Sequence, residues 1–470
     1  MENNLKKLFL TSLMAFSLSV SSQEKPYIII KNEIEDKVLH IIGSKKIFLN
    51  ELEYKFERII NYYENSGFPL IQVRLDNFNN KYADLIIDKG EKYIIDSLVI
   101  YGDVGINEQQ LFSLININKG DDYNESKLQK INDAINRITY VNIKKEYELV
   151  FHKNTVDIYF YLENTKSNFL DGLIGLNNSG KEIKINGFGK IRLENTIKKL
   201  ETINVSWIGE QDKFQQLESN IIVPNFFHKK ILSELKFNSY REINNFTNII
   251  IETSLKYKIN INTQIMMNYQ NKRSIIEQDL IYENNFANSY ERNIGIGVKH
   301  ITNISEIKCN GYIGKREDVD IAKNNQILEF DIKNMIFSNN KIIFSTTTES
   351  RIAFNKNLYE NELFIFGGSR NLKGFNENEL RASNYSIITA NLSYIFEKNF
   401  SSSVFFQQCY YEKKIINEDN ISDWPKSIGV GINIKNNNQL IYLQYAIGAS
   451  SSQKFNSRNA KIHIGVQSLF

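Results

Sequence analysis

The stretch SIGVGINIKNNNQLIYLQYAIG, residues 427–448, decides how this chain is read. In its first half Ile428, Val430, Ile432 and Ile434 alternate with small or polar residues, and in its second Ile441, Leu443, Tyr445 and Ile447 hold one face. Successive side chains of a strand point to opposite faces, so each half pairs an apolar face with a small or polar one. Asn436, Asn437 and Asn438 between the halves are turn residues. Such a hairpin fits a wall between lipid and a wet lumen.

The same rhythm runs from about residue 168 to the end, in strands separated by Asn, Lys, Asp, Ser and Gly turns. Eleven strands are expected before residue 353 and five from 384 onward, an antiparallel transmembrane β-barrel of about 16 strands over 168–470. An even number puts both ends of the sheet on one side of the membrane, the periplasmic one. A soluble β-sandwich would need a second core and more packed aliphatic faces. The last strand, NAKIHIGVQSLF (459–470), ends on Phe470, which is expected at an interfacial aromatic girdle. Pro26, Pro69, Pro224 and Pro425 all fall at expected junctions, as a chain of paired strands requires.

The first residues carry Lys6 and Lys7, an apolar run from Leu8 to Val20, and then small residues. This is the layout of a signal peptide over 1–22, with Val20 and Ser22 suited to a cleavage site; the run is too short to span a bilayer comfortably. Mean hydropathy is −0.36 and no long apolar segment follows, so an exported chain of this kind is either soluble or a barrel. The 57 basic and 54 acidic residues give a net charge of +3, which makes no case for nucleic acid. Cys309 and Cys409 suggest no disulfide scaffold. His40, His152, His228, His300 and His463 lack metal-ligand spacing, and no cofactor is expected. No nucleophile–base arrangement, phosphate loop or paired carboxylates point to an enzyme.

Between leader and barrel the pattern is mixed, and two α+β units are expected, at 25–91 and 92–165. In the first, KVLHIIG (37–43) is predicted as a strand, followed by a helix over 49–67 and strands at 70–75 and 82–88. In the second, a strand at 94–102 precedes a short helix at 106–115, a longer one at 125–138, and strands at 141–151 and 155–163.

The longest expected loop, 353–383, reads AFNKNLYENELFIFGGSRNLKGFNENELRAS. Phe364, Ile365, Phe366, Leu372, Phe375 and Leu380 make it too apolar for a free surface loop, and Gly367, Gly368 and Gly374 permit tight turns. It is expected to fold back into the barrel. Here GGSRNLKGF, which holds Arg370, resembles the lumen-loop motif of the BamA/TamA outer-membrane assembly-factor superfamily, whose core is Arg-Gly-Phe/Tyr; Lys373-Gly374-Phe375 stands at that tripeptide. The two N-terminal units resemble POTRA domains in element order and in NYYENSGFP (61–69). The last strand carries most of the superfamily's terminal signal in His463, Gly465 and Phe470, with Ser468 where a second aromatic is usual.

Two departures stand out. In the superfamily the tripeptide's arginine docks on an inward acidic residue of barrel strand 13, whereas here VFFQQCYY (404–411) puts Gln407 there, opposite Lys373. Lysine to a glutamine carbonyl is weaker and less directional than a guanidinium–carboxylate pair. Either this barrel holds its loop chiefly by packing, so that Lys373→Ala costs little, or both changes are drift.

The resemblance implies an outer-membrane protein whose N-terminal domains lie in the periplasm. They would receive unfolded outer-membrane proteins by strand addition at open sheet edges. Clients would then enter the membrane between the first and last barrel strands, with accessory assembly proteins and membrane lipid as further partners. Gly172 and Gly175 in FLDGLIGL (169–176), with Gly465 opposite, would weaken that seam or merely accommodate curvature. A two-partner-secretion transporter with a secreted client also combines two POTRA domains and sixteen strands, but carries a plug helix for which QEKPYIIIKNEIED leaves little room. A passive diffusion porin is the third reading, against which the N-terminal units and inward loop argue.

Overall fold

The computed structural model describes residues 26–470 except 116, 137, 179–182, 211–212, 225–229, 261, 278–284, 319–320, 356–357, 437–438 and 470. The leader reading over 1–22 and the girdle position of Phe470 lie outside the described residues. The chain forms two compact units, one of residues up to 100 with 115–133 and 146–160, the other of 101–114, 134–145 and 161–470.

The first segment runs β1 (Tyr27–Ile30), α1 (Asp36–Ile42), β2 (Lys46–Phe48), α2 (Leu49–Glu64), β3 (Gln72–Asn79) and β4 (Tyr82–Asp88). The sheet order is β2-β1-β4-β3, with β1 and β4 parallel. Residues 37–43 are therefore a helix and not the predicted strand. A short apolar run carries both periods, and burial decides between them. Val38 and Ile42, one turn apart, are both buried, and Gly43 at φ 78 closes the helix with its N–H on Leu39 O at 2.8 Å. The strand position belongs to YIII (27–30), whose Ile28 and Ile30 face the core with Ile47, Ile59 and Leu85.

The second segment gives β5 (Ile94–Tyr101), α3 (Glu108–Ile115), α4 (Glu125–Leu128), α5 (Ile131–Ile135), β6 (Val141–Phe151) and β7 (Thr155–Asn164), with sheet order β5-β7-β6. The predicted helix over 125–138 is two short helices. Asn124 caps the first by accepting from Lys127 N–H at 2.9 Å, and Lys130 N–H then reaches back three residues to Lys127 O, tightening the turn that ends it. Leu128, Ile131 and Ile135 are buried across both.

The barrel follows as β8 (Phe169–Asn178), β9 (Ile183–Glu194), β10 (Thr202–Glu210), β11 (Phe214–Pro224), β12 (Ile231–Glu242), β13 (Phe246–Lys258), β14 (Thr263–Ile276), β15 (Ser289–Ile301), β16 (Ser305–Asp318), β17 (Ile321–Ser338) and β18 (Ile342–Ala353). Two short loop strands, β19 (Phe364–Phe366) and β20 (Leu380–Ala382), pair with each other. The wall resumes with β21 (Asn384–Glu397), β22 (Phe400–Lys413), β24 (Lys426–Asn436), β25 (Gln439–Ala449) and β26 (Lys461–Leu469), and β23 (Ile421–Asp423) is a ledge on the end of β22. The sixteen long strands close into one antiparallel barrel, eleven before residue 353 and five from 384, as expected from the alternation.

The wall is inside-out. On β15 Ile294, Ile296 and Val298 are exposed, while Glu291 and Asn293, on the alternate set of positions, are buried. Lipid takes the place of a core on the outer face, and the inner face satisfies its polar groups across the lumen. Tyr312 donates to Glu252 at 2.9 Å, Lys236 bonds the same carboxylate at 2.6 Å, and Arg351 pairs with Asp331 at 2.8 Å. At the end where β8 begins, Tyr394, Phe396 and Phe400 form an exposed aromatic group with centroids 4.8 and 5.0 Å apart.

Candidate functional site: the inward loop and the barrel seam

The segment between β18 and β21 packs inside the barrel. Leu372 and Phe375 are 0% and 2% exposed, and Phe366 stacks on Tyr385 of β21 with centroids 4.4 Å apart. Gly367, Gly368 and Gly374 have φ of 111, 95 and 86 degrees. Gly374 also lies backbone to backbone against β25: a Cβ there would sit 2.5 Å from Gly448 N. Only glycine satisfies both demands.

Lys373 and Gln407 do meet, but not through the lysine side chain. The Gln407 amide clamps the loop's main chain: its Oε1 accepts from Lys373 N–H at 2.8 Å, and its Nε2 donates to Asn371 O at 2.5 Å and to Thr389 Oγ1 at 2.9 Å. The Lys373 ammonium lies over the Phe405 ring, 4.4 Å from its centroid. A carboxylate could not make this clamp, because it has no hydrogen to donate to Asn371 O. The motif's charged reach belongs to Arg370, whose Nη1 bonds Glu218 of β11 at 2.8 Å.

Other anchors were not singled out by sequence. Arg381 pairs with Glu242 of β12. Asn361 is fully buried and donates to Ser274 Oγ at 2.6 Å and Ala287 O at 2.8 Å. Glu362 takes the buried Arg316 guanidinium of β16 at 2.5 Å. The signal available was the polar run Glu360-Asn361-Glu362 directly before the apolar stretch 363–366.

At the seam, among the described residues, β26 pairs with β25 through eight positions but with β8 through three: Gln467 with Asp171, Ser468 with Leu170, and Leu469 with Phe169. Gly172 and Gly175 lie beyond this paired part, opposite Gly189 and Asn186 of β9. His463 and Gly465 also lie beyond it, on the inward set of β26, since Ile462, Ile464 and Val466 are exposed. A cavity of ≈ 1160 Å³ beneath Arg370 and Glu377 is lined by Leu173 of β8 and by Ile462, His463 and Ile464 from both faces of β26.

No family model matches the chain, and no curated protein matches it. Solved structures do. CdiB from Acinetobacter baumannii superposes with a TM-score of 0.62 at 14% identity, covering 100% of this chain and 97% of that one. CdiB from Escherichia coli gives 0.62 at 9% identity, with coverage of 97% and 93%. BamA from Haemophilus ducreyi lacking POTRA domains 1–3 gives 0.51 at 12% identity, with coverage of 94% and 99%. The fold of this chain is that of the BamA and CdiB structures.

Proposed function

We propose that this protein is an outer-membrane assembly factor that inserts unfolded barrel proteins at the seam between β8 and β26. The observation that carries the reading is the three-position seam beside a ten-position pairing of β8 with β9. Each backbone hydrogen bond contributes about 0.5–1.5 kcal/mol net, so parting the seam costs about 2–5 kcal/mol. A client strand can repay that by pairing with the freed edges. The N-terminal segments, read as periplasmic POTRA domains, offer further open edges at β3 and β6 for main-chain capture. Burial of the client's apolar face in lipid supplies the driving force, and the proposal includes no cofactor.

A second reading, a two-partner-secretion transporter for a secreted client, is favoured by the higher TM-scores of the two CdiB structures. The test reconstitutes the full chain, with Cys309 and Cys409 replaced by Ser, in liposomes carrying Leu170→Cys and Ser468→Cys across the seam. Urea-unfolded barrel proteins are offered, and folding is followed by heat-modifiable gel mobility. Stimulated folding under reduction, abolished on oxidation, supports the assembly factor. No stimulation in either state, together with large steady ion conductance, refutes it in favour of a transporter or porin.

A further inference from the structure

The seam carries one side-chain connection that its backbone ladder does not predict. Tyr442 of β25 stands opposite Gly465 of β26. A Cβ on Gly465 would lie 2.1 Å from Tyr442 Cζ and 2.2 Å from its hydroxyl, so the ring lies across the glycine. Beyond it, the Tyr442 hydroxyl reaches Asp171 Oδ2 of β8 at 3.3 Å. One side chain therefore starts on β25, crosses β26 and ends on β8. Asp171 is 9% exposed and faces Gln467, the last of the three paired positions. The contact sits where the paired seam gives way to the unpaired part.

We propose that Tyr442 is the latch of the seam, with Asp171 as its keeper and Gly465 as the slot it passes through. This rests on the seam being the working site of the protein. At 3.3 Å the bond from the Tyr442 hydroxyl to the carboxylate is long, and it is worth about one backbone bond of the ladder. Where the ladder has three positions, one such bond shifts the open-to-closed ratio substantially, and it is lost without any change to the backbone. The residue at 465 is then constrained by the ring that crosses it, beyond any need for curvature. Charged neighbours facing the latch are Lys190, opposite Asp171 on β9, and Glu377 of the loop, which lines the same cavity.

The test measures opening directly, as the rate of amide hydrogen exchange over residues 467–469 in the reconstituted barrel, which scales with the open fraction of the seam. Tyr442→Phe is expected to speed exchange about five- to tenfold, the effect of one hydrogen bond. Asp171→Ala should do the same, and the double variant should be no faster than either single one. Gly465→Val should speed exchange when Tyr442 is present and add little in Tyr442→Ala. Heat-modifiable mobility confirms that each variant is a folded barrel. Unchanged exchange in Tyr442→Phe, or additive effects in the double variant, overturn the latch. The seam's role in client folding is judged separately: an oxidised Leu170→Cys/Ser468→Cys seam that still supports stimulated folding refutes that reading, whatever the exchange rates show.

Discussion

Replacing Gln407 should release the tip of the inward loop, and replacing Lys373 should not. Gln407 is 2% exposed and its amide serves two main-chain groups, Lys373 N–H and Asn371 O. Gln407→Ala leaves both in a largely closed site, at about 1–3 kcal/mol for each group stranded without a partner. Lumen water can recover part of that, which sets the net cost at about 2–4 kcal/mol, or roughly 30- to 1,000-fold in the docked-to-released ratio. Lys373→Ala keeps its N–H and the clamp, losing only the ammonium over Phe405, worth about 0.5–2 kcal/mol. Trypsin added to the reconstituted protein reads the difference, since Arg370 and Arg381 remain as cleavage sites in both variants. Faster cleavage after Arg370 and Arg381 is expected in Gln407→Ala, with the barrel fragments staying associated. If Lys373→Ala exposed the loop as much as Gln407→Ala, the main-chain clamp would not be what holds the tip.

Gly374→Ala meets both a φ of 86 degrees and a Cβ contact of 2.5 Å with Gly448 N, so it should cost at least about 2 kcal/mol and lower the heat-modifiable fraction. Arg316→Met strands the buried Glu362 carboxylate and should destabilise the folded barrel by about 3–5 kcal/mol, read from its thermal transition in micelles. In the first N-terminal segment Lys89 and the Tyr63 hydroxyl bond Glu35 at 2.5 and 2.9 Å, holding its carboxyl below the usual range, and the carboxylate in turn raises Lys89. The Glu35 contribution is thus complete above the ordinary carboxyl value of 4.5 and fades as pH falls through the lowered one. The Lys89 contribution is complete below 10.5 and fades as pH rises through its raised value. Hydrogen exchange over 36–42 should therefore separate wild type from Glu35→Gln at neutral pH and converge at both extremes; a constant difference would break the assignment.

The barrel was legible because period two needs only neighbouring residues, and asparagine-rich turns mark where each strand stops. Residues 37–43 misled because four apolar side chains in a short run fit a buried strand as well as a helix. What separates them is the long-range pairing of YIII (27–30) with β4, which no local pattern contains. Loop 353–383 showed its inward direction through its apolar content, yet its polar anchors did not, since Glu362 and Arg316 are 46 residues apart. Lys373 and Gln407 were matched as side chains, whereas the contact uses the lysine's N–H, which every residue except proline carries. The Tyr442–Asp171 contact joins residues 271 apart through barrel closure. First and last strands share no turn, so nothing local sets their register.

The placement of the loop's anchors bears on how the wall would move. Its contacts fall on β11 through Glu218, β12 through Glu242, β14 through Ser274, β16 through Arg316 and β22 through Gln407. Among the described residues, none of its hydrogen bonds reaches β8, β9, β10 or β26. The loop's hydrogen bonds thus brace the wall from β11 round to β22, Gly374 packs on β25, and β8 and β26 are left without a hydrogen bond to the loop among the described residues. On the proposed function this division has a consequence for clients. A strand that pairs with β26 over more than the three positions held by β8 gains free energy by taking its place. A shorter one does not, so the weakness of the seam sets the shortest client strand that can open it. The Tyr442 latch raises that threshold by about one further paired position.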